Sequence, residues 1–195
     1  HSLTVELLLI MFMVVSGVSF VRIFNTFARS LGRSRRLSGV TTSYIAFLVI
    51  ATLVITLNLM NHGDISFLKS LRLAAFQVCS ITTTTGFATT DTSIWPTLSI
   101  LVLVLASVVC ACSGSTSGGM KMDRVLLLIS YMEQSLRKGI NPRRVVNTRF
   151  DGRVVPEELA AETMRFILLY VVLLAVGAFV NTAFGLDLET ALSAS

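Results

Sequence analysis

The segment from Ile81 to Thr90 reads Ile-Thr-Thr-Thr-Thr-Gly-Phe-Ala-Thr-Thr and lies between two long apolar stretches. Non-helical backbone is tolerated at membrane depth only where protein buries it or where it lines a water-filled path. A run of Thr with a Gly offers little apolar surface for burial, so the second setting is favoured. Its carbonyl and hydroxyl groups are the oxygen ligands that a hard cation needs when it loses water. The segment therefore predicts one strand of an ion-selectivity filter.

The composition is typical of a membrane protein. Of 195 residues, 53% are hydrophobic and 14% are charged, and the mean hydropathy is +0.78. This is about half the charge of an ordinary soluble domain. The net charge of +5 is explained by basic cytoplasmic loops. We therefore expect membrane lipid, and no nucleic acid, as a partner.

The sequence shows no catalytic or metal-binding pattern. His1 and His62 lie far apart. Cys79, Cys110 and Cys112 fall in or beside apolar stretches, without the further His or Cys that would complete four zinc ligands. We interpret them as small packing residues and expect neither an enzyme nor a resident cofactor or metal.

Apolar stretches of about 20 residues predict membrane-spanning helices. The predicted spans are Leu3–Phe27, Tyr44–Met60, Pro96–Ala111 and Leu159–Phe184, with a short helix over Leu188–Ser195. The third span breaks at Cys112–Gly119 and resumes over Met120–Leu136. Between the second and third spans, Ile65–Ser80 is too short and too polar to cross a membrane. It suits a re-entrant helix with Asp64 as its N-cap.

The basic residues orient the predicted spans. Fourteen of the sixteen Lys and Arg residues fall between Arg22 and Arg36 or between Lys121 and Arg165. Both zones are therefore expected on the cytoplasmic side, and the Thr-rich strand is expected to open outward. The first residues lack Met and a basic signal-peptide start, and the last ones interrupt a pattern, so we expect both ends to be cuts through a longer polypeptide.

A β-hairpin is predicted in the second basic zone. Val145–Val155 places an Asp151–Gly152 turn between β-forming residues, which is a strong local hairpin signal. It is interpreted either as a simple linker or as a docking surface.

The order span, short helix, Thr-Gly strand, span is the plan of a potassium-channel pore unit. The short helix would direct the partial negative charge of its C-terminus toward a cation below the filter. The strand Thr84-Thr85-Gly86-Phe87-Ala88 resembles the Thr-Val-Gly-Tyr-Gly signature of potassium-channel filters. Gly86 reaches backbone angles that other residues avoid. A Thr-rich external loop is the alternative.

Two motifs at the expected separation resemble the Trk/Ktr potassium-uptake membrane subunits of the TrkH and KtrB type. They are Thr84-Thr-Gly-Phe-Ala-Thr-Thr-Asp91 and Ser113-Gly-Ser-Thr-Ser-Gly-Gly-Met-Lys121. The resemblance implies an all-α polytopic membrane protein built from four span–pore helix–filter–span repeats around one pore. Residues 1–36 would hold the last helix of a preceding repeat and a cytoplasmic loop. Residues 37–140 would form a complete repeat, 141–155 the hairpin, and 156–195 the start of the next repeat.

The resemblance also implies functional residues and partners. Potassium would lose its water to the carbonyls of Thr84, Thr85, Gly86 and Phe87. The broken helix would form a gate loop under the filter, comprising Gly114, Ser115, Thr116, Ser117, Gly118 and Gly119. The implied protein is a homodimer in the bacterial inner membrane that takes up potassium by symport, with H+ or Na+ left open as the coupled ion. It is implied to bind a cytosolic nucleotide-binding regulatory subunit of the TrkA/KtrA type.

Several alternatives remain open at the level of sequence. The Gly-rich break has a second interpretation as a plain packing kink. A phosphate-binding loop is disfavoured because Met120 stands where Lys is required. The whole chain has a second interpretation as a sodium- or proton-coupled secondary cation transporter with a discontinuous helix, and a third as a membrane anchor without an ion path.

Overall fold

The computed structural model describes residues 3–28, 39–63, 65–140, 149–150 and 153–185. As predicted, the described part is helical apart from one pair of two-residue strands. The elements are α1 Leu3–Ser16, α2 Phe20–Ala28, α3 Gly39–His62, α4 Phe67–Thr82, α5 Thr97–Val109, α6 Met122–Ile140, β1 Arg149–Phe150, β2 Arg153–Val154 and α7 Glu157–Ala183. The chain divides into two compact units, His1–Asp123 and Arg124–Ser195.

The first predicted span is not one continuous helix. It is interrupted between α1 and α2 at residues 17–19, so the prediction of a single span over Leu3–Phe27 was wrong. A Cβ atom at Gly17 would overlap the Tyr44 hydroxyl and lie 2.7 Å from Tyr44 Cζ. The chain therefore unwinds where the buried ring of Tyr44 needs the space of a side chain.

Helix α3 is the long span at the centre of the first unit. Its 24 residues correspond to about 36 Å, enough for the roughly 30 Å core of a bilayer. It contacts α4 and α5, with Ile55 and Thr56 fully buried. Asn58 Nδ2 donates a buried hydrogen bond of 2.8 Å to Ser99 Oγ on α5. Such polar contacts hold spanning helices together where lipid supplies no hydrophobic driving force.

Helix α4 has the properties of the predicted re-entrant helix. Its 16 residues give a length of about 24 Å, short of a full crossing. It contacts α1, α3 and α5, and its second half from Phe76 to Ser80 is buried. The helix begins at Phe67, so its N-cap is Ser66 and not Asp64, which lies outside the described residues.

The predicted interruption of the third span is present. Helix α5 ends at Val109 and α6 begins at Met122, so the non-helical segment is wider at both ends than the sequence suggested. The break returns toward α5, because Met120 N–H donates to Val108 O at 3.1 Å and Met122 N–H to Ala111 O at 3.0 Å.

The second unit contains a long apolar helix and the predicted hairpin. Helix α7 and α3 are the two helices in the described ranges that are long and apolar enough to cross a membrane. Arg124 stacks on Phe166 of α7, 3.7 Å from the ring centroid. Strands β1 and β2 pair antiparallel, with Arg149 opposite Val154. The turn residues Asp151 and Gly152 and the predicted helix Leu188–Ser195 lie outside the described residues.

Candidate functional site

The candidate filter begins in the C-terminal cap of α4. Thr83 is the C-cap, Thr84 N–H donates to Ile81 O at 3.0 Å, and Thr85 N–H donates to Ser80 O at 2.9 Å. These two bonds form a Schellman motif, in which the residue after the C-cap is left-handed. The negative end of the helix dipole therefore lies at the start of the filter segment.

Two residues of the filter segment have left-handed backbone angles. Thr84 has φ = 53° and Gly86 has φ = 78°. Gly86 adopts this angle at no steric cost. Thr84 is β-branched, so the same region costs it about 1–2 kcal/mol. A strained non-glycine residue of this kind marks a position worth testing for function.

The segment from Thr84 to Ala88 is exposed within this chain and is attached to α4 at both ends. Ser80 Oγ donates to Phe87 O at 2.6 Å, which leaves that carbonyl a second lone pair. At the other end Thr83 Oγ1 donates to Cys79 O at 2.7 Å. The proton of the Thr83 hydroxyl is thus engaged with Cys79 O. Thr85 is therefore the donor in the 2.8 Å hydrogen bond between the Thr83 and Thr85 hydroxyls. The strand thus presents oxygen atoms on a fixed backbone.

The candidate gate loop is held internally by a chain of hydrogen bonds. Lys121 Nζ donates to the carbonyl of Ser117 and approaches its hydroxyl at 3.5 Å. Ser115 Oγ donates to Cys112 O at 2.6 Å. Ser117 is therefore the donor in the 2.9 Å hydrogen bond between the Ser115 and Ser117 hydroxyls. The hydroxyls therefore satisfy backbone groups that the helix break leaves free.

The beginning of the loop is bonded to the interruption between α1 and α2. Cys112 N–H donates to Gly17 O at 3.1 Å, and Phe20 N–H donates to Gly114 O at 2.9 Å. Gly114 has φ = 75°, and a Cβ atom there would lie 3.0 Å from Ser19 Oγ. The two helix breaks supply each other with hydrogen-bond partners.

A charged cluster fixes the other side of the same region. Asp123 Oδ2 accepts from Ser113 N–H at 2.5 Å, and its Oδ1 lies 3.4 Å from Arg22 Nη2. Arg22 Nη1 donates to Thr41 Oγ1 at 3.1 Å. The first residues of α6, the loop, α2 and α3 are thereby joined through two side chains.

The filter and the loop are in direct contact. Gly118 N–H donates to Thr84 Oγ1 at 3.0 Å. A Cβ atom at Gly118 would lie 3.7 Å from Thr84 Cγ2, an ordinary contact distance. The structure therefore brings together the two motifs, which are separated by 34 positions in the sequence.

The structure adds residues that the sequence analysis did not assign to the site. Gly17, Ser19 and Phe20 contact the loop, and the only signal was a Ser-Gly-Val-Ser run inside an apolar stretch. Arg22 was used in the sequence analysis only to mark a basic zone, and Asp123 was not assigned a role. Among the described residues, no three His, Cys, Asp or Glu side chains are grouped as metal ligands, and the three cysteines are buried and free.

An ion pair connects α1 to the helix before the filter. Arg72 Nε lies 2.9 Å from Glu6 Oε2, and the side chains are 35% and 5% exposed. The contact is a charge pair rather than an aligned hydrogen bond, since neither atom has a hydrogen-bonded partner. Ionisable residues inside membrane proteins are rare and usually functional or paired.

Residues 1–192 match the family model TrkH, described as cation transport protein. The Trk system potassium uptake protein TrkH of Vibrio parahaemolyticus is 30% identical over 99% of this chain and 40% of its own length. That of Halomonas elongata is 32% identical over 98% of this chain and 40% of its own length.

The fold agrees with a solved structure. The crystal structure of the potassium transporter TrkH from Vibrio parahaemolyticus superposes with a TM-score of 0.89 at 29% identity. The match covers 98% of this chain and 42% of that one. The chain thus spans about two fifths of the length of these relatives.

Proposed function

Because this chain belongs to the TrkH family of cation transport proteins, we propose that it forms part of a potassium-uptake membrane protein. The family is one of transporters, as expected from the absence of a catalytic pattern in the sequence. In this proposal Thr84, Thr85, Gly86 and Phe87 form one strand of a filter, and residues 114–119 form a gate loop. The ion carried is potassium, as in the names of the relatives.

The observation that carries this proposal is the exposed Thr84–Ala88 segment at the C-terminus of a short helix whose second half is buried. A helix dipole and a row of oxygen atoms favour a cation that has lost water. One strand cannot enclose an ion, so equivalent strands from other repeats of the full-length protein complete the ring.

The test is potassium flux through the full-length protein in liposomes. We expect flux that favours potassium over sodium, and a higher resting flux when Ser115–Ser117 is deleted. The ion preference should persist in the deletion, because the filter is not changed. Absence of potassium flux from folded wild-type protein would reject the function. Equal resting flux in the deletion would reject the gate.

The partners are also part of the proposal. The resemblance supports a multi-pass homodimer in the bacterial inner membrane, with a cytosolic nucleotide-binding regulatory subunit. The hairpin β1–β2 carries Arg149 and Arg153 and is the proposed docking surface, with Arg143 and Arg144 outside the described residues. Reversing the charge of Arg149 and Arg153 should weaken binding of that subunit, and more at low salt than at high salt. Unchanged affinity would leave the hairpin as a linker.

A second candidate is a sodium- or proton-coupled secondary carrier. Such carriers pair two broken helices at the substrate site, and here the breaks at 17–19 and 110–121 share two backbone hydrogen bonds. Potassium flux that scales with an imposed sodium or proton gradient would favour the carrier. Flux that follows the potassium gradient alone favours the channel-like filter.

A further inference from the structure

Thr84 occupies a position where glycine is the usual residue. It follows the C-cap of α4 in a Schellman motif and is left-handed. A β-branched residue is sterically disfavoured there. Its side chain must therefore contribute something that a glycine at position 84 would lack.

The contribution visible in the structure is the hydroxyl group. Thr84 Oγ1 accepts the Gly118 N–H at 3.0 Å, and Gly118 has no left-handed φ and no close neighbour at its Cβ position. Thr84 is also exposed at the inner end of the candidate filter. The same oxygen atom is therefore available to the loop and to a cation.

The two halves of the loop are held by different kinds of bond. Residues Cys112 and Gly114 are fixed by backbone hydrogen bonds to Gly17 and Phe20. Backbone bonds resume at Met120, and between these fixed points the loop is held through side chains, by Thr84 at Gly118 and by Lys121 at Ser117. The half from Ser115 to Gly119 is thus the part that side-chain chemistry can release.

We propose that Thr84 is a positioning residue whose hydroxyl latches the loop to the filter, and that a cation bound to this oxygen at the inner end of the filter weakens its bond to Gly118 N–H, because the cation repels the positive end of the N–H dipole. Ion occupancy then loosens the loop. By linkage, release of the loop strengthens cation binding at that end by the same factor. The inference rests on the proposed filter and gate and adds the bond that couples them.

The test follows loop exposure in the full-length, reconstituted protein. Thr116 is exposed, and a Thr116→Cys reporter is labelled by a water-soluble thiol reagent in potassium or in N-methylglucamine. Potassium should raise the labelling rate about two- to ten-fold, the range of one neutral hydrogen bond. The baseline is the parent protein without the reporter, because Cys79, Cys110 and Cys112 are buried.

Three substitutions separate the latch from a merely structural role. Thr84→Ser keeps the hydroxyl and should keep the potassium effect. Thr84→Val keeps the side-chain shape without the hydroxyl, and Thr84→Gly removes both the hydroxyl and the strain of the left-handed backbone. Both should abolish the effect of potassium on labelling. Thr84→Gly should do so without loss of thermal stability. The same potassium effect in all three variants would overturn the latch.

The failures of the two proposals are distinguishable. If wild-type protein conducts and selects potassium but potassium does not change reporter labelling, the latch is rejected and the proposed function stands. If wild-type protein carries no potassium, the proposed function itself is rejected, whatever the labelling shows.

Discussion

Gly119 and Cys110 are in contact at the base of the loop, where a Cβ atom at position 119 would overlap the Cys110 sulfur and lie 2.9 Å from its Cβ. Gly119 is also left-handed, with φ = 71°. Neither condition applies to Gly118, whose added Cβ would meet only Thr84 Cγ2 at 3.7 Å. A side chain should therefore be tolerated at Gly118 but not at Gly119.

We predict that Gly119→Ala raises resting potassium flux in the full-length protein and Gly118→Ala does not. The left-handed backbone alone costs an alanine about 1–2 kcal/mol, and the overlap with Cys110 adds to this. Gly118→Ala, which retains the N–H group, should change stability by less than about 0.5 kcal/mol. Resting ion flux and thermal unfolding of both variants are the measurements.

A double substitution serves as the control. Cys110 has φ = 53°, so Cys110→Gly removes the overlapping atoms and suits its own backbone. Cys110→Gly should partly rescue Gly119→Ala, while the angle at 119 remains unfavourable. Equal flux in Gly118→Ala and Gly119→Ala would contradict the geometry.

Gly86→Ser should lower the potassium-to-sodium permeability ratio. No atom of this chain lies within 4 Å of a Cβ at position 86, so the effect must come through the left-handed φ of 78°. The cost is about 1–2 kcal/mol, which displaces the oxygen atoms of Thr85 and Gly86. One altered strand lowers the ratio without necessarily inverting it.

Gly86→Asn is the matched comparison. Asn adopts left-handed angles far more readily than β-branched residues, so it should retain more selectivity than Gly86→Val. Reversal potentials in mixed potassium and sodium provide the ratio. If Asn and Val are equally selective, the backbone angle at 86 does not control ion preference.

Removing Arg72 from the Glu6–Arg72 ion pair should lower the stability of the protein more than removing Glu6. Arg72→Met leaves a carboxylate that is 5% exposed, whereas Glu6→Gln leaves an arginine that is 35% exposed. Removing one partner of a buried pair costs about 3–5 kcal/mol. We expect Arg72→Met to approach this range and Glu6→Gln to cost about half as much.

The double variant Glu6→Gln/Arg72→Met completes the cycle and should recover part of the loss, since no buried charge remains. Thermal unfolding in detergent gives the ranking. Additive losses would show that the two side chains do not interact.

Asp91 should remain ionised at mildly acidic pH. The Ser93 hydroxyl and backbone N–H donate to its Oδ1 at 2.7 and 2.9 Å and hold the pKa of Asp91 below its ordinary value. A carboxyl with a lowered folded pKa stabilises its turn above about pH 3.9 and loses this effect as the pH falls through the lower value.

Asp91 is exposed and lies four residues after Phe87, the last residue of the candidate filter. Its negative charge should attract cations to the pore mouth. Asp91→Asn should therefore raise the apparent KM for potassium about two-fold at low ionic strength, equally at pH 5.5 and 7.5, and less at high salt. Asp91→Glu keeps the charge and is the control. A KM unchanged by Asp91→Asn at low salt would remove this role.

The polar interruptions of the sequence predicted much of the site. Thr82–Thr85 and Gly114–Gly119 have no apolar surface to offer, so only a non-helical, polar setting suits them at membrane depth. The structure agrees for the loop and from Thr84 onward, whereas Ile81 and Thr82, predicted as the start of the strand, are the last residues of α4. The two segments meet at Thr84 and Gly118. The identity of the connecting atoms was not predictable, because it depends on how α4 and α5 pack.

The break at Gly17 was missed for a different reason. Gly-Val-Ser within an apolar stretch costs a helix only about 1 kcal/mol, so local sequence favours a continuous span. Tertiary contacts reverse this preference, since Tyr44 occupies the space beside Gly17 and the loop supplies hydrogen-bond partners to the unwound backbone. A single sequence contains neither contact.

The bonds between the two breaks run from peptide group to peptide group, Cys112 to Gly17 and Phe20 to Gly114. They do not depend on which side chains these segments carry. Hybrid transporters that exchange whole repeats between distant relatives should therefore keep this junction. The side-chain pairs that such hybrids should inherit together include Gly17 with Tyr44, Gly114 with Ser19, and Arg22 with Asp123. Exchange of the segments on either side should thus leave the backbone bonds between the two breaks intact.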